Sequence, residues 1–194
     1  MQKIAVTLLV VLLAGCAAKP MGSDLVLQIP AQSAVTTFTD AVNGPRLAVS
    51  AKGVSSDLSA RDKVFAFPGY LSYYKLFELN QASPRGLHIH AIGGCSCLGF
   101  DKRTLVPVVY ALDSHGESLT ISNLHYSVRG GVLVDLDVDV ASGEAKYILV
   151  ASNNADLDKT VGHINIQDMH GYSAMNLSVR SYPVGDFKLD YQSN

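Results

Sequence analysis

Two histidines separated by a single residue, His88-Ile89-His90, carry the first chemistry in this 194-residue chain. In an extended strand alternate side chains share a face about 6.6–6.8 Å apart, which lets both imidazoles turn onto one metal ion. Beginning three residues beyond His90, the stretch Gly93-Gly94-Cys95-Ser96-Cys97-Leu98-Gly99 adds two thiols on a glycine-rich loop able to bend back toward that face. Two imidazoles and two thiolates suit Zn²⁺ or a copper ion, so His88, His90, Cys95 and Cys97 form a candidate metal set. Against it stands the single residue between the thiols, because structural zinc sites space theirs by two to four and no second knuckle follows.

A row of carboxylates is the second feature. From Val132 to Val140 the chain alternates strictly, with four valines and Leu136 on one side and Asp135, Asp137 and Asp139 on the other, the period of a strand with one wet face. The spacing matches the opening of an EF-hand calcium loop, but Val140 stands where that loop needs Gly and Lys146 where it needs a bidentate Glu. The three aspartates are therefore expected on a solvated face, where their charge discourages edge pairing and leaves weak calcium binding as the residual use.

Nucleophilic catalysis finds no support. In Gly94-Cys95-Ser96-Cys97-Leu98-Gly99 the second glycine lies one residue too far for the Gly-x-Ser-x-Gly elbow. His115, in Asp113-Ser114-His115-Gly116, is expected in a solvated hairpin turn, and His125, His163 and His170, isolated in sequence, are expected as surface or capped histidines. No phosphate-cradling loop, His-Glu-x-x-His or dinucleotide fingerprint occurs, so the chain is expected not to be an enzyme. Tyr70, Tyr73, Tyr74 and Phe77 cluster in one run; core packing takes at least half of them and leaves a modest surface for a glycan or protein partner. Fifteen Lys+Arg against 17 Asp+Glu, a net charge of −2, exclude the basic excess that a nucleic-acid partner requires.

The elements that must position these groups are β-strands. A chain 48% hydrophobic with 16 Gly and 7 Pro is too apolar for disorder and too punctuated for one long helix. Ser142-Gly143 supplies a turn after Val140, so Ala145 to Ala151 is expected to return as the second strand of a hairpin with Val132 to Val140. Further strands are expected at Leu25 to Ile29, Leu47 to Ala51, Val64 to Phe67, Tyr73 to Leu79, Leu87 to Ile92, Leu105 to Leu112, Leu119 to Val128, Met175 to Val179 and Phe187 to Tyr191. Only Asn153 to Val161 has a helical pattern, with Asn154 as cap and Leu157 and Val161 four apart. Pro107 places its strand at an edge or beside a bulge. The expectation is an all-β, jelly-roll-like β-sandwich with at most one short helix, formed as a single domain by residues 24–194.

The N-terminus supplies an address. Met1-Gln2-Lys3 is a cationic start, Ile4 to Leu13 is uncharged, and the run is too short to span a membrane, which is signal-peptide grammar. Leu13-Ala14-Gly15-Cys16 resembles the bacterial lipobox. That resemblance implies removal of residues 1–15, lipidation of Cys16, a tether over residues 16–23 and a membrane partner reached through acyl chains. Ala17, where inner-membrane lipoproteins usually show Asp, favours the outer membrane facing the periplasm. With Cys16 acylated in an oxidising compartment, a Cys95–Cys97 disulfide is the simplest expectation, strained by its small ring and so more easily reduced; unpaired or intermolecular thiols, metal binding and a redox role are the alternatives.

From about Ser59 to Gly162 the order of pieces is similar to the MalM family of periplasmic proteins of maltose operons, through Phe65-Ala66-Phe67-Pro68, Leu87-His88-Ile89-His90-Ala91, Val106-Pro107-Val108-Val109-Tyr110-Ala111-Leu112-Asp113 and Lys146-Tyr147-Ile148-Leu149-Val150. Phe77-Glu78-Leu79, Leu87-His88-Ile89 and Leu112-Asp113-Ser114-His115-Gly116 also resemble successive strands of small jelly-roll domains beside secreted peptidases. Either resemblance implies a non-catalytic envelope β-sandwich, the first with a link to carbohydrate uptake. The leading expectation is a cofactor-free accessory or assembly lipoprotein with an envelope-protein or glycan partner; the alternative is a copper- or zinc-binding lipoprotein.

Overall fold

A computed structural model of the chain describes residues 29–80, 86–92, 102–129, 133–140, 145–167 and 173–192. The expected signal peptide, Cys16 and its tether, most of the strand expected from Leu25, and the Cys95/Cys97 loop lie outside the described residues.

Strands dominate what is described: β1 (Arg46–Val49), β2 (Val54–Leu58), β3 (Lys63–Phe67), β4 (Tyr70–Leu79), β5 (Leu87–Ile92), β6 (Lys102–Leu105), β7 (Pro107–Leu112), β8 (Ser118–Leu119), β9 (Ile121–Arg129), β10 (Leu133–Val140), β11 (Tyr147–Ser152), β12 (Thr160–Gln167), β13 (Ser173–Tyr182) and β14 (Gly185–Tyr191). One sheet runs β1-β4-β11-β7-β8, with β3 also on β4; a second runs β2-β14-β5-β10-β9; a third runs β12-β13-β6. The all-β sandwich expected from the alternating patterns is what forms. Its main core lies between the first two sheets, where Phe77, Ile148 and Val150 meet Leu87, Ile89, Val134, Leu136, Phe187 and Leu189, all at most 2% exposed.

The first sheet also buries its outer face. Tyr74, Leu76, Tyr147, Leu149 and Ala151 pack there beneath Phe65 and Phe67 and beneath Ala41 and Val42 of the short helix α1 (Phe38–Val42). Thr37 starts that helix by accepting the Asp40 N–H at 3.1 Å, a cap that the reading of the sequence passed over. Tyr73, Tyr74 and Phe77 are buried and Tyr70 is half-buried, so most of the aromatic run is core rather than contact surface. Burial, together with the neighbouring Tyr110, pushes the Tyr70 phenol up to about 12.

Several expectations need correction. The hairpin does not form: β10 pairs with β5 and β9 in the second sheet, whereas β11 pairs with β4 and β7 in the first. All six residues of β11 are buried, because a strand without alternation needs cover on both faces, and a partner presenting aspartates on one face cannot give that. The helix expected at Asn153 to Val161 is a single 3-10 turn, Asn154–Asp156, after which β12 begins at Thr160. The run Leu105 to Leu112 breaks at Val106, sending β6 to the third sheet and β7 to the first. Pro107 takes the first position of β7, paired with Ser152 of β11 on one side, while β8 reaches only Ala111 and Leu112 on the other; the proline thus stands at a local edge, where a missing N–H is tolerated, and no bulge is needed. β2 and β12 were not anticipated, since Val54-Ser55-Ser56-Asp57-Leu58 and the Gly162-containing β12 carry weak strand signals.

Charges tie the sandwich together. Lys75 on β4 reaches Asp57 of β2 at 2.8 Å and Asp62 at 3.4 Å, linking the first two sheets. Donation from Lys75 holds the Asp57 carboxyl below its usual range, as donation from Lys146 does for Glu78, the Glu117 backbone N–H for Asp113, and Lys159 for Asp156. Each folded-state value lies below the unfolded one, so the contribution is present above the ordinary carboxylate range and is lost as pH falls through it. The expected outcome is a melting temperature that drops below about pH 4, read by circular dichroism, with little change owed to these groups between pH 5 and 7.

Candidate metal centre

The outer face of the second sheet carries the chemistry. Leu87, Ile89 and Ala91 of β5 and Val134, Leu136 and Val138 of β10 turn inward, so the residues between them must turn out. The antiparallel register then sets His88 opposite Asp137 and His90 opposite Asp135. On the flanking strands Asp190 of β14 lies opposite His88, and His125 of β9 opposite Asp137. Four strands therefore align Asp190, His88, Asp137 and His125 in one row; the next row aligns Lys188, His90, Asp135 and Ser127. Gly53 supports the β14 side, since a β-carbon there would stand 1.8 Å from Asp190 Oδ1.

Contacts within the rows are short. His88 Nδ1 lies 2.6 Å from Asp137 Oδ1, and His90 Nδ1 lies 2.5 Å from Asp135 Oδ1. The second nitrogen of His88, Nε2, faces the same Asp135 Oδ1 at 3.4 Å. The two rings stack with centroids 6.3 Å apart and planes 23° from parallel. Ligand atoms of His88, His90 and Asp135 all lie within 4.8 Å of one another. The imidazoles are about 30% exposed (30% and 29%), while the Asp135 side chain is 4% exposed.

A neutral imidazole has one N–H. If His88 spends it at Nδ1 on Asp137, its Nε2 lone pair and an Asp135 oxygen, both acceptors, confront each other across the 3.4 Å gap. A second proton on His88 or a cation between them resolves the confrontation. Tetrahedral ions with bonds of about 2.0–2.2 Å hold neighbouring ligand atoms roughly 3.3–3.6 Å apart, so the gap already has the width of a coordination edge. The shorter His90–Asp135 contact must open by about 1 Å and give up its proton for His90 to join through Nδ1. Two nitrogens and one oxygen suit Zn²⁺ and Cu²⁺ rather than thiol-seeking Cu⁺.

Of the candidate metal set, His88 and His90 come together, while Cys95 and Cys97 lie outside the described residues. Asp135 takes a place the sequence reading gave to a thiolate. The solvated-face expectation fails for it, as the residue is 3% exposed, and β10 lies between β5 and β9 and so guards no edge. The signal that would have found it was the matching period of His88-x-His90 and Asp135-x-Asp137. His125 is exposed but not isolated: with His88, Asp137, Asp139, Asp190, Tyr191 and Gln192 it lines an open groove of about 680 Å³ beside the cluster. Asp190 there pairs with Lys188 at 2.8 Å. His163 is exposed, His170 is outside the described residues, and His115 sits exposed in the β7–β8 turn, where Asp113 Oδ1 accepts the backbone N–H groups of His115 and Glu117.

Compared with models of protein families, with curated proteins and with solved structures, the chain matches none.

Proposed function

We propose that this chain is a metal-binding β-sandwich of the bacterial cell envelope, holding a divalent ion of the zinc or copper class through His88, His90 and Asp135. The observation that carries this reading is the convergence of two imidazoles on one buried oxygen: His88 Nε2 lies 3.4 Å and His90 Nδ1 2.5 Å from Asp135 Oδ1. The role is binding rather than turnover. Export and anchorage at the outer membrane through Cys16 are part of the proposal and are supported by the Leu13-Ala14-Gly15-Cys16 motif. A maltose-type partner is supported only by the family resemblance.

The test uses the purified chain, loaded with Zn²⁺ or Cu²⁺ and dialysed, with metal content and free thiols counted on one sample. About one ion per chain is expected, and a free ion at 100 times its dissociation constant adds about 2.7 kcal/mol of stability, visible as a raised melting temperature. No retained metal overturns the proposal. Absence of free thiols in the loaded protein, before and after chelation, leaves a Cys95–Cys97 bridge beside a three-ligand site; thiols that appear only on chelation add Cys95 and Cys97 to the ligands.

A further inference from the structure

We infer that Asp137 is a positioning residue for this metal site: it holds His88 in the tautomer that turns Nε2 toward the ion. The inference rests on the metal-binding reading and assigns a role to a residue outside the ligand trio. Two aspartates separated by one residue do different work here. Asp135, almost fully buried, is shared between both imidazoles, whereas Asp137, its side chain 39% exposed, reaches Nδ1 of His88 at 2.6 Å.

The chemistry follows from counting donors. With the proton on Nδ1, His88 donates to Asp137 and leaves Nε2 as a lone pair facing the gap. With the proton on Nε2, the Nδ1 lone pair would be pressed against a carboxylate oxygen 2.6 Å away, and the N–H would sit on the nitrogen that lies 3.4 Å from Asp135. Asp137 therefore excludes the second arrangement for the neutral ring. Without Asp137 the balance reverses: Nε2–H donates to Asp135 across the 3.4 Å separation, and that bond occupies the space the ion needs. A carboxylate behind a ligating imidazole also raises its basicity, and loss of such a partner typically weakens metal binding about 10–100-fold. Register makes the arrangement stable, since His88 and Asp137 are direct cross-strand partners on rigid strands.

The experiment compares the wild-type chain with Asp137→Ala and Asp137→Asn. Nitrogen–proton correlation spectra of the metal-free proteins report which nitrogen of His88 carries its proton, and competition against a chelator reports Zn²⁺ affinity. Expected are Nδ1–H in the wild type, a shift to Nε2–H in Asp137→Ala with affinity about 10–100-fold weaker, and an intermediate loss in Asp137→Asn, whose amide oxygen accepts the same bond without charge. A merely structural role would move the melting temperature and leave the tautomer in place. If Asp137→Ala keeps Nδ1–H or binds Zn²⁺ as tightly as the wild type, the positioning role is overturned while the metal site stands. A wild type that takes up no Zn²⁺ overturns the metal reading itself.

Discussion

Exchange of both His88 and His90 for alanine is expected to yield a chain that still folds but keeps no Zn²⁺ or Cu²⁺ through dialysis. Removing one supporting carboxylate behind a ligand costs about 10–100-fold in affinity, so deleting two of three ligands should cost well over 100-fold. The fold should survive because both side chains lie on the outer face, about 30% exposed, while their neighbours Leu87, Ile89 and Ala91 keep the core filled. Stability will still fall somewhat, because Asp135, 3% exposed, loses the His90 hydrogen bond and the neighbouring His88 ring, and one such bond to a charged group is worth about 1.5–3 kcal/mol. Asp135→Asn separates the two effects, since it removes the ligand charge and preserves side-chain size. Metal content by elemental analysis, with melting curves in the presence and absence of Zn²⁺, makes the comparison. A double variant that holds metal like the wild type would mean that other donors hold it.

Phe77→Ala should lower stability by about 3–5 kcal/mol, a large part of the roughly 5–15 kcal/mol available to a domain. Phe77 of β4 is fully buried and meets Phe187 of β14 edge to face, ring centroids 5.7 Å apart, so the pair bridges the two principal sheets. The truncation removes a ring from the centre of the sandwich and leaves a cavity whose walls are held by strands on both sides. Phe187→Ala should cost a similar amount, and the double variant less than their sum, because the two deletions empty one space. Urea unfolding reads these changes; a cost below about 1 kcal/mol for Phe77→Ala would mean that the two sheets do not meet there.

The periodicities that identified strands were local, and they held well where one face is wet. His88 and His90 alternate with Leu87, Ile89 and Ala91, and Asp135 and Asp137 with Val134, Leu136 and Val138, so both halves of the candidate site were visible as half-buried strands. Their pairing was not visible. His90 and Asp135 meet across 45 positions of sequence, and no local pattern states which strand a strand will neighbour. The mistaken hairpin has the same origin: the Ser142-Gly143 turn signal suggested adjacency, while the uninterrupted apolar run Tyr147-Ile148-Leu149-Val150-Ala151 already demanded cover on both faces. The proposed third ligand, Asp135, was missed because buried and solvated aspartates look alike until a neighbouring strand supplies the imidazoles.

The place of β14 bears on how the protein is made. Gly185–Tyr191 follows every other described strand in sequence, yet it lies inside the second sheet, between β2 and β5. A nascent chain therefore carries β5 and β10 long before the strand that bears Phe187 and Leu189 has been synthesised, and until then β5 has an unpaired edge and the core is open. Such non-local closure belongs to slow-folding topologies, on millisecond-to-second scales, and an exposed strand edge invites intermolecular pairing while it lasts. A ribosome that stalls before Phe187 would release a chain prone to aggregate, even though all three proposed metal ligands had already been made.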